Sequence, residues 1–379
     1  MRSSTGHALF LVTLSSLPFL ACDRATIASR PPSSDGGAAG SVAAGGAPSA
    51  GGLSSGGAPG DGGAITGSGG AIAGTGGTVT GTGGATESGG RGPDGGTGGS
   101  NDGGPATARA IASPPTYQGT VNNAMGCTHT YMTHGFEPDD APGTRHPLFL
   151  YFTGTNFVSD EASFRAQSEP AADAVTRAMA ARGFVALWAE YDNGAIAWLS
   201  DHGAQLDCLF GVTPTTLLAT ACKLPDVDCD LGIATWGHSQ GAALANRAFG
   251  FDQRVKAAWL AGYGGDAAST MPKNRIRVEN GENDTTNGQE ATVDPIVGLT
   301  TADCPDDGTS SCFRADGSGW VIVRAKDCVT STADHCWFDH KTCTDGVVTL
   351  EQNWIDPSST KPFALTKNAD WVAATVRRP

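Results

Sequence analysis

The chain is poor in basic residues: 24 Lys and Arg stand against 38 Asp and Glu over 379 residues. Residues 1–107 hold 4 basic and 6 acidic side chains, which leaves 20 and 32, a formal charge of −12, on residues 108–379. Nucleic acid and anionic lipid surfaces both require clustered Lys and Arg, so neither is an expected partner. Long apolar runs are also missing. The stretch Ala8–Ala21 is too short and too interrupted by Ser to span a membrane comfortably. None of the ten cysteines are paired as Cys-x-x-Cys and the histidines are not spaced as ligands, which argues against zinc. Large apolar side chains are nearly absent from residues 31–107, which therefore cannot bury enough surface to offset chain entropy. Those 77 positions hold 30 of the 54 glycines. Gly does not recur at every third place, however, and Pro is sparse, so a collagen helix is excluded.

What is present divides the chain into three parts. Residues 1–21 read as an export signal, with Arg2 ahead of the apolar run. Phe19-Leu20-Ala21-Cys22 resembles the lipobox of bacterial lipoproteins, in which the Cys becomes the lipidated first residue of the mature protein. It departs from that pattern at Phe19, where Leu is favoured, and at Leu20, where a smaller residue is commoner. The resemblance implies that Cys22 carries a lipid, that residues 22–107 form a disordered Gly/Ala/Ser/Thr-rich tether, and that the protein is an outer-membrane lipoprotein on the periplasmic or cell-surface side. The alternative is an ordinary secretory signal cleaved near Ala21 and a secreted protein. A flexible tether of this length has a root-mean-square span on the order of 50 Å. The membrane is then contacted only through the anchor, and the domain is expected to be a monomer.

Residues 108–379 contain 23 Gly in 272 positions and read as one α/β domain. Short apolar runs alternate with helical stretches, the mark of βαβ units. Strands are expected at 148–153, 184–190, 232–236, 255–261, 275–280 and 320–325, and the clearest helices at 160–182, 240–250 and 365–377. Apolar runs in most strands imply a sheet covered on both faces. Segment 111–145 is expected to supply an antiparallel lead-in to it.

The motif that carries chemistry follows the strand ending at Trp236. Gly237-His238-Ser239-Gln240-Gly241 precedes a good helix, placing a Gly-x-Ser-x-Gly turn between strand and helix. On these residues the domain resembles the α/β-hydrolase-fold serine hydrolases of esterase and lipase type. The resemblance implies a mostly parallel central sheet with helices on both faces, Ser239 as nucleophile, and an acid and a histidine later in the chain. The run Arg275-Ile276-Arg277-Val278-Glu279-Asn280-Gly281-Glu282-Asn283-Asp284 resembles the strand and turn that carry the acid in that family, with Asp284 first and Glu282 second. The base follows in Asp334-His335-Cys336-Trp337-Phe338-Asp339-His340, with His335 preferred over His340 because it lies nearer the strand end. A disulfide at Cys336 would fix that loop, as in several secreted esterases of this fold. The six other histidines lie at or before position 238, the wrong side of Ser239 for this fold.

The resemblance also implies an oxyanion hole made by the backbone N–H groups of Gln240 and Thr155, with Asn156 the alternative because Thr153-Gly154-Thr155 replaces the family's His-Gly-x. Gly154 would let the backbone approach the substrate. The implied reaction is two-step acyl transfer on a small-molecule or polymer-borne ester, and it requires no cofactor. A faint calcium pattern at Asn283, Thr285, Asn287 and Gly288 lacks the acidic first and last ligands, so no metal is expected. The stretch between Leu260 and Arg275 is too short for a large lid, although 192–231 could form a wall. Phe157, Tyr263 and Trp337 are candidates to line a substrate pocket. With Cys22 set aside, nine cysteines remain, and export makes disulfides the default. Cys304–Cys312 and a bridge within 328–343 are plausible pairs, and one thiol is left over.

Overall fold

Runs such as Leu148–Phe152 and Val185–Ala189 place apolar side chains at every position, so both faces of the strands they form must be covered. The computed structural model of the chain describes residues 107–378 apart from 119–129, 142, 156–160, 192, 194–201, 266–268, 287–295, 305–309 and 345. The expected signal, Cys22 and the tether lie outside the described residues, as do Cys127, Asn156, Phe157, Asn287 and Gly288. Among the described residues, nine strands form one sheet: β1 (Ala108–Ala110), β2 (Thr133–Pro138), β3 (Leu148–Phe152), β4 (Val185–Ala189), β5 (Ile233–His238), β6 (Val255–Ala261), β7 (Ile276–Gly281), β8 (Ser311–Phe313) and β9 (Gly319–Val323). Their order is β1-β2-β4-β3-β5-β6-β7-β9-β8. The pairs from β4 to β9 are parallel, and the antiparallel pairs β1–β2, β2–β4 and β8–β9 lie at the two edges. With β3 inserted between β4 and β5, this is the α/β-hydrolase fold.

Alternation along the strands divides the core in two. Leu148, Leu150 and Phe152 face one side, packed with side chains of α2 (His202–Phe210), α3 (Leu217–Ala221) and α4 (Gln240–Phe251). Phe149 and Tyr151 face the other, packed with α1 (Glu161–Ala180) and α6 (Leu365–Val376) and joined there by Trp188, Trp236 and Trp259. The short α5 (Gln352–Ile355) closes this second side. Between Ala261 at the end of β6 and the turn at Lys273 no helix occurs among the described residues.

The six expected parallel strands lie within about two residues of their places. The lead-in is real, but β1 begins at Ala108, before the expected 111–145. Strand β8 was not expected, because three residues around Cys312 are too few to show a period.

Disulfides join Cys222 to Cys229, Cys304 to Cys312 and Cys336 to Cys343, and Cys208 is also disulfide-bonded. The leftover thiol among the described cysteines is Cys328. Such bonds persist in an oxidising, non-cytoplasmic compartment. Among the described residues no helix is long and apolar enough to cross a membrane.

The loop after β9 is held by one carboxylate. Glu351, wholly buried, accepts from the backbone N–H of Val329, Thr330, Ser331 and Asn353 and from the Thr330 hydroxyl. Burial alone would raise the pKa of this group, but the N–H donors outweigh burial and hold it below the ordinary carboxylate value. A folded-state pKa below the unfolded one gives stability that is present above about pH 4.5 and lost as the pH falls. Glu351→Gln, which keeps the shape and leaves N–H groups unpaired, should lower stability by about 1–3 kcal/mol at neutral pH. Chemical denaturation of both forms from neutral to acid pH should show the difference shrinking toward the acid end.

Candidate active site

Strand β5 runs into α4 through a turn with no spare room. A Cβ on Gly237 would lie 2.1 Å from the Gly241 carbonyl oxygen, and one on Gly241 would lie 2.3 Å from the Phe152 oxygen. The two glycines of the motif therefore let the turn close and let α4 press against the end of β3. Between them Ser239 has φ 53° and ψ −114°, a backbone region that a side chain rarely adopts and that costs of order 1–3 kcal/mol. Its N–H is held by the Ala261 carbonyl at 2.9 Å, which ties the turn to the end of β6.

The next strands deliver two loops that are sewn together. After β7, Asn283 donates its backbone N–H to the Ala333 oxygen and its amide to the Thr332 oxygen, both at 2.8 Å. Ala333, fully buried, sits at φ 54°, the other non-glycine with positive φ among the described residues. These bonds bring Asp284 and His335 together: Nδ1 of His335 lies 2.8 Å from Oδ2 of Asp284. A carboxylate only accepts, so Nδ1 carries the proton and Nε2 is the free face of the ring. The Asp284 side chain is fully buried and His335 is 16% exposed. The other carboxylate oxygen takes the Thr286 N–H at 2.8 Å. Beyond His335, the Cys336–Cys343 disulfide and Asp334, which accepts from the backbone N–H of both cysteines, hold the loop.

The alternatives separate in space. Glu282 turns to the end of β9, where it accepts from the Ala325 N–H and faces Arg324. His340 pairs with its own neighbour Asp339 at 2.8 Å. His340, Asp339 and Cys336 form a cluster of metal-ligand type, but Cys336 is consumed by the disulfide and has no thiolate to offer. In the faint calcium pattern, the Asn283 side chain is committed to Thr332.

The loop after β3 reaches the same place. Thr155 donates its hydroxyl to the side-chain oxygen of Gln240 at 3.2 Å, and Gln240 is buried. Two residues that sequence reasoning missed hold this loop. Tyr191 donates its hydroxyl to the Thr153 oxygen at 2.5 Å, and the buried Asn193 donates to the Thr153 hydroxyl and to the Gly154 oxygen, at 3.0 and 2.8 Å. They follow β4, which pairs beside β3 although it is remote from it in sequence. Only the strand order could have found them.

Of the proposed pocket residues, Trp337 is corrected. It is wholly buried and packs edge to face on Phe338, Trp354 and Phe363, on the α1/α6 side of the sheet, so it cannot touch a substrate. Tyr263 is 5% exposed and core-packed, with its backbone clamped by Asn280 and its hydroxyl accepting from Asn246.

No protein-family model matches the chain, and no curated protein does. Solved structures show partial likenesses. A hypothetical protein from Pseudomonas aeruginosa is 19% identical, with a TM-score of 0.27 over 42% of this chain and 43% of that one. A fungal esterase from Rhizomucor miehei is 10% identical, with a TM-score of 0.36 over 52% and 73%. The esterase Est22 is 16% identical, with a TM-score of 0.28 over 41% and 45%. The chain thus spans less than half the length of the first and third. Its assignment to the hydrolase fold rests on its own strand order.

Trp337→Ala should cost about 3–5 kcal/mol in denaturant unfolding, the mark of a core indole. At Gly262, φ is 57° and a Cβ would lie 2.9 Å from Cε1 of His335. Gly262→Ala should therefore displace that ring, read as a shift or loss of its low-field Nδ1 proton resonance.

Proposed function

We propose that this domain is an exported serine hydrolase that cleaves carboxylic esters. The observation that carries the reading is the buried Asp284–His335 hydrogen bond, 2.8 Å long, next to a Gly-x-Ser-x-Gly turn with Ser239 in a strained backbone. In this reading Ser239 attacks the ester carbonyl while Nε2 of His335 takes its proton, and the same imidazolium then protonates the leaving alcohol. Water, deprotonated by His335, releases the acyl group and restores the serine. Asp284 orients the imidazole and stabilises it when protonated. The backbone N–H groups of Gln240 and Thr155 take the developing oxyanion, a role supported by the Thr155–Gln240 bond that joins their two loops. The reaction needs no cofactor.

The short connection after β6 favours an open site and hence short-chain or bulky esters, free or borne on a polymer, over lipids sheltered by a lid. Disulfides agree with export, and Cys22 followed by the Gly-rich segment supports a lipid-anchored protein of the outer membrane. No nucleic acid or membrane surface is bound by the domain itself.

Labelling of the full chain with a fluorophosphonate probe tests the assignment. Wild type and His340→Ala should label alike, whereas Ser239→Ala should not label and His335→Ala should label at least about a thousandfold more slowly. Folded wild-type protein that does not label would sink the hydrolase reading and leave a binding domain of hydrolase shape. Labelling without ester turnover would redirect the search to amides and thioesters.

A further inference from the structure

Resting on that reading, we propose that His238, the variable residue inside the Gly-x-Ser-x-Gly turn, is a positioning residue that clamps the His335 loop to the nucleophile turn through a hydrogen bond from its Nε2–H to the His335 carbonyl. The distance is 2.9 Å. Asp284 holds the His335 side chain and His238 holds its main chain, so two bonds from different strands fix both where the ring sits and how it points. Neither bond alone sets both. A base has to be held within about half an ångström of its productive place, which makes a main-chain anchor relevant to the rate.

The ring of His238 has no freedom to do otherwise. It is 9% exposed, its centroid lies 4.7 Å from that of His335, and Phe338 meets it edge on at 4.8 Å. A Cβ on Gly262 would come within 3.0 Å of its Cδ2 and Nε2, and a Cβ on Gly154 within 2.8 Å of its Nδ1. The ring therefore fills the space between the turn after β6, the loop after β3 and the His335 loop. Gly154 leaves the room that this imidazole occupies. Burial first, and the neighbouring His335 second, push the pKa of His238 down to about 3, so the ring stays neutral and carries one proton. A carbonyl can only accept, which places that proton on Nε2.

Two substitutions separate the bond from the packing. His238→Gln carries an N–H donor the same number of bonds from Cβ, whereas His238→Leu fills much of the space with none. With a soluble aryl ester, the Leu form should lose about tenfold in kcat with little change in KM, and the Gln form should recover most of it. The low-field Nδ1 proton resonance of His335 should broaden in Leu and persist in Gln. If the Leu form does not fold, His238→Asn, whose amide is one bond too short to reach the carbonyl, takes its place with the same expectations. A folded donor-less variant with wild-type kcat and an unchanged resonance would overturn the clamp, and so would a Gln form as impaired as Leu. The resonance needs no turnover. If wild type proves inactive, the hydrolase reading fails, while the resonance across the Gln and Leu forms still decides for or against the clamp.

Discussion

The close approach of the 237–241 turn to the end of β3 is the constraint on which the site depends. Gly241 stands where any Cβ would meet the Phe152 and Thr153 carbonyls, so α4 can begin directly over the third strand. That contact brings Gln240 to Thr155 and sets Ser239 at the rim of the sheet with its backbone strained. Strain of this kind persists only when its surroundings over-determine it. Here they do, through the Ala261 carbonyl on one side and the first turn of α4 on the other.

The second half of the site is built from loops, and each loop is tied more than once. Asn283 sews the acid loop to Thr332 and Ala333, Glu351 gathers the N–H groups of 329–331, and the Cys336–Cys343 bridge closes the far side of His335. Loops ordinarily carry function at the expense of order. In this domain the ordering comes from buried polar groups and disulfides, while the tryptophans below the sheet supply the apolar floor.

Much of this was legible in the chain. The parallel strands showed because buried strands need unbroken apolar runs, and the turn at Ser239 showed because close approach admits only glycine at its two ends. The family resemblance put Asp284 ahead of Glu282 and His335 ahead of His340, and the fold brings Asp284 and His335 into contact. Trp337 misled because an aromatic beside a catalytic-looking histidine reads the same whether its ring points to a cleft or to a core. Tyr191 and Asn193 were invisible because their partners lie some forty residues away across a strand crossover.

The amino-acid sequence by itself determined the fold class and the tight Gly-x-Ser-x-Gly turn at the end of β5, since these follow from local periodicity and from the need for glycine at a close approach. Only the tertiary structure decided which carboxylate meets which imidazole, which glycine yields to which ring, and that His238 lies between three loops. Those outcomes depend on strand order and on buried hydrogen bonds between distant segments, and no spacing along a single chain encodes the direction in which a side chain turns.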